Sequence, residues 1–170
     1  MPTIRPETEA DIPAVRTVYQ RAFETPAEAS LVDALRARRA GILSLVAELD
    51  GAVTGHIFFS AVEIKWPHGV FEAAGLAPMA VLPEFQNQGI GSALVRRGLE
   101  ELRRMRLPAV IVLGHPEFYP RFGFAPASRW GIRFPLEVPD AAFMTLELQP
   151  GALQGVSGVA HFQPEFDLLT

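Results

Sequence analysis

The chain of 170 residues contains no cysteine, a single lysine (Lys65) against fourteen arginines, and four scattered histidines. The missing cysteine excludes a disulfide framework, a thiolate metal site and a covalent acyl-cysteine intermediate in this chain. His56, His68, His115 and His161 lie far apart, so no dedicated metal site is expected. The arginine bias reads as genome composition rather than function. No apolar run approaches the roughly 20 residues of a membrane span, and Met1-Pro2-Thr3-Ile4-Arg5-Pro6 has no signal-peptide core. Positive charge is not in excess either: the net charge is −4 and the pI about 5.6. That argues against nucleic acid as the main partner, because phosphate binding needs clustered cations. A cytoplasmic protein with neither a membrane nor a nucleic-acid partner is the expectation.

What is present suits a folded enzyme or binding domain. Hydrophobic residues make up 49% and charged residues 20% of the chain, a balance that supports one domain with a sizeable core. There is no internal repeat, low-complexity tract or convincing linker, so residues 1–170 are expected to form a single domain.

Thr3-Ile4-Arg5 reads as a short first strand. Thr8-Glu9-Ala10-Asp11 fits a capping box ahead of the periodic apolar run Ile12, Val15, Val18, Tyr19, Ala22, which predicts a helix over 9–23. A second helix follows Pro26, with Leu31 and Leu35 four apart. Two apolar, β-rich runs, 42–49 and 52–64, flank Asp50-Gly51, a strong hairpin signal. His56 lies in the second arm, where a packed histidine is the expected role. Lys65-Trp66-Pro67-His68-Gly69 reads as a loop. The strand region 71–82 contains Gly75 and Pro78, so it is expected to be irregular, with some backbone groups turned away from normal pairing.

A strand, a glycine turn and a helix start are packed into Met79 to Leu94. Such a turn presents unpaired N–H groups at the positive end of a helix dipole, a ready site for phosphate oxygens. It has no lysine and no Walker spacing, and its glycines are out of frame for a dinucleotide fingerprint. The helix is predicted over 88–106. Ile90, Leu94, Val95, Leu99, Leu102 and Met105 share one arc of its wheel, with Gly91 and Gly98 inside that arc to allow close approach to a sheet. Arg96, Arg97, Glu100, Arg103 and Arg104 form the opposite, solvated face. Pro108 ends the helix, and Ala109-Val110-Ile111-Val112-Leu113 reads as a strand buried on both faces. Strand, helix and strand then form a crossover unit with a parallel pair.

Gln86-Asn87-Gln88-Gly89-Ile90-Gly91 resembles the acyl-CoA signature of the GNAT superfamily of N-acetyltransferases. Three companions strengthen the likeness. Leu76 to Glu84 looks like the family's bulged fourth strand, 109–113 lies where its buried partner should be, and Phe118-Tyr119-Pro120-Arg121-Phe122-Gly123-Phe124 looks like its tyrosine-containing turn. The likeness spans roughly residues 3–149, leaving 150–170 as a C-terminal extension. The stretch from Leu113 to Phe124 is most similar to a bacterial branch of predicted N-acetyltransferases.

The resemblance implies an α/β fold with a mixed, mostly antiparallel sheet of six to seven strands, a splayed central parallel pair and helices on both faces. It implies acetyl-CoA as co-substrate and an amine as acceptor, with a homodimer left open. The N–H groups of Gln88, Gly89, Ile90, Gly91 and Ser92 would hold the pyrophosphate, with Gln86 and Asn87 at the entrance. Backbone groups of Met79, Ala80 and Val81 would align the pantetheine arm, and Ala80 or Val81 would supply an oxyanion donor. Tyr119 would protonate the departing thiolate. The base is open between His115, Glu84, Glu72 and water. The acceptor has no signature in the first helices, the 65–70 loop or the segment after Phe124. A CoA-binding sensor without turnover is the other reading of the same motif.

Overall fold

The computed structural model describes residues 1–169. In chain order the elements are β1 (Thr3–Pro6), α1 (Ile12–Ala22), α2 (Ala27–Ala37), β2 (Gly41–Leu49), β3 (Ala52–Trp66), β4 (Gly69–Val81), α3 (Ile90–Arg104), β5 (Ala109–Leu113), β6 (Ala125–Pro126), β7 (Ile132–Arg133), β8 (Phe143–Glu147) and β9 (Gly158–His161). Contacts divide the chain into two compact units. Unit 1 holds residues 1–59, 77–100 and 164–170, and unit 2 holds 60–76 and 101–163.

In unit 1, Thr8 and Asp11 close the expected capping box: the Thr8 N–H donates to the Asp11 carboxylate at 2.8 Å. Arg5 grips the same carboxylate with two hydrogen bonds of 2.7 and 2.9 Å. The Asp50-Gly51 turn has both residues in the left-handed region (φ 52° and 80°), as a two-residue hairpin between twisted strands requires. β1 runs antiparallel to β2, and β2 pairs with β3.

Successive residues of a strand face opposite sides of a sheet. Phe58 of β3 belongs to a core cluster with Val15, Val18 and Tyr19 of α1, Leu31, Val32 and Leu35 of α2, and Ala80 and Leu82. Phe59, its neighbour, faces α3, where its ring meets Gly98. Helices therefore cover both faces. Ile90, Leu94, Val95, Leu99 and Leu102 are buried along α3, as their spacing predicts. Met105 is 46% exposed instead, because α3 ends at Arg104 and the chain turns away there. The C-terminal 3₁₀ turn, Pro164–Leu169, packs on α2: Arg38 forms a two-pronged ion pair with Glu165, and Phe166 joins the apolar cluster.

In unit 2, β4 and β5 run parallel, with Ala74 opposite Val110 and Gly75 opposite Ile111. The β4–β5 ladder covers those two positions, and Leu76 to Val81 lie outside it. β8 pairs antiparallel with β5 along its full length and also with β6. β9 pairs antiparallel with β3 at Glu63 to Lys65 and parallel with β7. Val62, Ile64, Ile111, Ile132, Phe143, Leu153 and Ala160 form the core of this unit.

Two sequence expectations shift. The sheet has nine strands, not six to seven, because β6 and β7 are two residues each and β9 lies in the segment expected to be an extension. The predicted 65–69 loop shrinks to a turn at Pro67-His68, since β3 and β4 continue into it.

The Gly98–Phe59 contact yields a stability prediction. A Cβ at Gly98 would stand 2.6 Å from Cζ of Phe59, a fully buried ring. Overpacking of this kind costs about 1–3 kcal/mol, against about 1 kcal/mol gained in helix propensity. Gly98→Ala is expected to lower the urea midpoint and Gly98→Val to lower it further. A rise in midpoint for alanine would contradict the close seat.

Acid is expected to destabilise the chain in two stages. His56 is fully buried, and burial first, then the Arg36 charge, push its pKa down to about 3. Unfolded, it titrates near 6.5. Between those values the unfolded chain binds a proton that the folded chain does not, so stability falls as pH falls. Asp11, held well below the usual carboxylate range by the Arg5 hydrogen bonds, adds a further loss as pH drops through 3.8. Urea titrations at about pH 7, 5 and 4 check this, and a constant midpoint would contradict it.

Candidate active site

β4 leaves the sheet at Val81 and passes through a 3₁₀ turn, Pro83–Phe85, before α3 begins at Ile90. Gln86 to Gly89 form the exposed turn between them. Asn87 and Gly89 adopt left-handed backbone (φ 62° and 87°), a conformation that asparagine and glycine tolerate best. This reversal aims successive N–H groups outward at the start of α3. The first hydrogen bond of the helix runs from the Ala93 N–H to the Gly89 carbonyl at 3.0 Å. Among the described residues, the backbone N–H groups of Gln88, Gly89, Ile90, Gly91 and Ser92 find no protein acceptor. Five adjacent donors at the positive end of a 15-residue helix have the arrangement of an anion cradle.

The side chains of the turn brace it. Gln86 Nε2 donates to the Val81 carbonyl at 3.0 Å, and Gln88 Nε2 to the Glu84 carbonyl at 3.2 Å. Met79 and Val81 are half-buried and Ala80 is buried, at the end of β4 that lies outside the ladder with β5. The Ala77–Pro78 peptide just before them is cis. Leu82 N–H donates to the Thr54 carbonyl at 2.8 Å, which ties this end of β4 to β3.

In unit 2, Tyr119 opens a 3₁₀ turn, Tyr119–Phe122, that closes on Gly123 in the left-handed region (φ 102°). The His115 carbonyl accepts from the N–H groups of Phe118 and Tyr119. Tyr119 is buried against Phe118 and Phe124, both rings edge-on at 5.0 and 5.6 Å. It also lies over Gly114, where a Cβ would stand 2.6 Å from its ring. Its hydroxyl makes no hydrogen bond among the described residues. Burial pushes its pKa up to about 12, so the phenol keeps its proton throughout the neutral range.

The three base candidates sit differently. Glu84 makes two hydrogen bonds with Arg21, which hold its carboxyl below the ordinary range. A carboxylate engaged in this way is a poor proton acceptor. Glu72 and His115 are both exposed. On α3, Arg97 donates to the Ile4 carbonyl at 2.9 Å, a structural use of an arginine from the solvated face. Sequence reasoning missed the Arg21–Glu84 pair because its members lie 63 positions apart.

A family model described as an acetyltransferase (GNAT) domain matches residues 3–127. The chain belongs to the GNAT family of N-acetyltransferases. It is 36% identical to the uncharacterised N-acetyltransferase YhbS of Escherichia coli over 96% of this chain and 98% of that protein. It is 40% identical to the uncharacterised N-acetyltransferase YjhQ of the same species over 86% of each. Among solved structures, YhbS in complex with CoA superposes with a TM-score of 0.91 at 35% identity, covering 98% of this chain and 92% of that one. A GNAT acetyltransferase from Brucella melitensis in complex with acetyl-CoA gives 0.80 at 35% identity, covering 98% and 99%. The expected fold and activity class are thereby met. No described helix is long and apolar enough to cross a membrane.

The cradle carries its own prediction. Inorganic pyrophosphate is expected to raise the melting temperature, and Gly89→Val to abolish that rise, because a branched side chain is strained at φ 87°. Equal stabilisation of both proteins would contradict an anion site at this turn.

Proposed function

We propose that the chain transfers the acetyl group of acetyl-CoA directly to a primary amine, and that residues 1–170 act as one catalytic domain. The observation that carries this reading is the row of N–H groups from Gln88 to Ser92 with no acceptor among the described residues, next to a strand end outside the parallel ladder. The row takes the pyrophosphate, with Gln86 and Asn87 at its entrance. Backbone groups of Met79, Ala80 and Val81 take the pantetheine amides as an added strand would. Gln86 Nε2 already donates to the Val81 carbonyl, so that oxygen is engaged at the end of the strand. Complexes of two relatives with CoA and acetyl-CoA support the co-substrate.

Direct transfer asks for a neutral amine, a stabilised oxyanion and a proton for the leaving thiolate. An N–H at Ala80 or Val81 serves the oxyanion. Tyr119 serves the thiolate: its hydroxyl is protonated at neutral pH and has no partner among the described residues to satisfy first. The amine bond forms as the thioester C–S bond breaks. The amine proton passes to a base and the phenol proton to sulfur. With Glu84 engaged by Arg21, the base is His115, Glu72 or water. The missing cysteine fits a route with no acyl-enzyme. The intact turn and phenol favour turnover over a sensor role.

The test is thiol release from acetyl-CoA across a panel of primary amines, together with CoA calorimetry. Tyr119→Phe is expected to lower kcat by about 10²–10³, the usual scale for a general acid, while CoA affinity stays within about twofold. Unchanged turnover would remove Tyr119 as the acid. A protein that binds no CoA at micromolar concentration would overturn the enzymatic reading as a whole.

A further inference from the structure

His56 is the one histidine in the core, and it sits in the middle of an unbroken hydrogen-bonded chain. Its Nδ1 lies 2.8 Å from the Tyr19 hydroxyl and its Nε2 lies 2.7 Å from Ser44 Oγ. Ser44 Oγ donates to Glu7 at 2.8 Å, and Arg36 binds Glu7 with two nitrogens while also donating to Asp33 at 3.2 Å. The direction of every proton follows. The Glu7 carboxylate can only accept, so Ser44 gives its proton there. Ser44 must then accept from Nε2–H, which leaves Nδ1 to accept from Tyr19. Each buried polar atom of the imidazole is satisfied by one tautomer.

The chain joins α1 through Tyr19, α2 through Arg36, β2 through Ser44 and β3 through His56. Thr54 and Gly55 immediately precede His56 on β3 and lie against the end of β4. The Thr54 carbonyl accepts from Leu82, and a Cβ at Gly55 would lie 3.2 Å from the Ala80 carbonyl oxygen. Ala80 and Leu82 also pack in the same cluster as Tyr19. Apolar packing alone does not fix the register of β3 against the helices, whereas a directional chain with a single satisfied tautomer does.

We infer that His56 is a positioning residue for acetyl-CoA: the Tyr19–His56–Ser44–Glu7–Arg36 chain holds Thr54 and Gly55 in place, and through them the Met79–Val81 backbone that aligns the pantetheine arm. This rests on the proposed role of Met79–Val81. His56 touches neither co-substrate nor acceptor and takes no part in proton transfer.

The test uses the full chain, CoA calorimetry at a temperature well below melting, and hydrogen exchange of the Met79–Val81 amides. Wild type should show those amides protected by CoA; if it does not, the role of Met79–Val81 fails before that of His56 is reached. Given protection, His56→Ala should weaken CoA binding about tenfold, and His56→Gln, which keeps a donor and an acceptor, should return it to within about threefold. Loss of melting temperature with unchanged CoA affinity would overturn the inference, since that is what a merely structural histidine gives. Should His56→Ala fail to fold, Tyr19→Phe opens the chain by removing one oxygen and no packing volume. It must weaken CoA binding in the same direction for the inference to stand.

Discussion

Helix α3 lies close to β3 because two side chains are absent between them. Gly98 admits the ring of Phe59, and Gly55 admits the Ala80 carbonyl together with Leu94 and Ile90. The direction of the helix axis follows from this seat, and so does the direction of the N–H groups at its first turn. A helix raised by one methyl layer would keep its dipole but point it elsewhere. The cradle at Gln88 to Ser92 is thus a product of packing several residues away, since a row of backbone donors has no side chains with which to correct its own aim.

The opposite face of the same strand is constrained by a different kind of force. Phe58 packs in an apolar cluster whose attraction has no direction. His56, two residues earlier on that face, is held at both nitrogens. Breaking such a chain at one point leaves a buried donor or acceptor unpaired, at about 1–3 kcal/mol. One face of β3 therefore sets how near α3 comes, and the other sets where along the strand α1 and α2 sit. Ala80 and Leu82 inherit both constraints.

Features set by neighbours in sequence were legible before the fold was known. The Thr8–Asp11 box, the Asp50-Gly51 hairpin, the strand at 109–113 (buried except at the exposed Leu113) and the Gln86–Gly91 turn each depend on residues within a few positions of one another. Family likeness extended that reach to Tyr119, whose burial no periodicity predicts. What was not legible depends on partners far along the chain. β9 is four residues of modest strand character that become a strand only because Glu63 to Lys65 offer an edge about a hundred positions earlier. The His56 partners lie 37 and 12 positions away, so a lone histidine in a strand looked like ordinary packing. The Arg21–Glu84 pair was hidden for the same reason.

The proton inventory of acetyl transfer is uneven in this chain. On the acid side of the proposed transfer, burial among Phe118, Phe124 and Gly114 keeps the Tyr119 proton in place well above neutral pH, and its hydroxyl makes no hydrogen bond among the described residues. On the basic side the three side-chain candidates are all exposed. Glu84 is locked as a carboxylate by Arg21, His56 is consumed by its own hydrogen bonds, and Glu72 and His115 face solvent. A primary amine is largely protonated at neutral pH, yet an exposed site can lose that proton to water before attack. The requirement for a built base therefore falls on acceptors that bind out of reach of solvent.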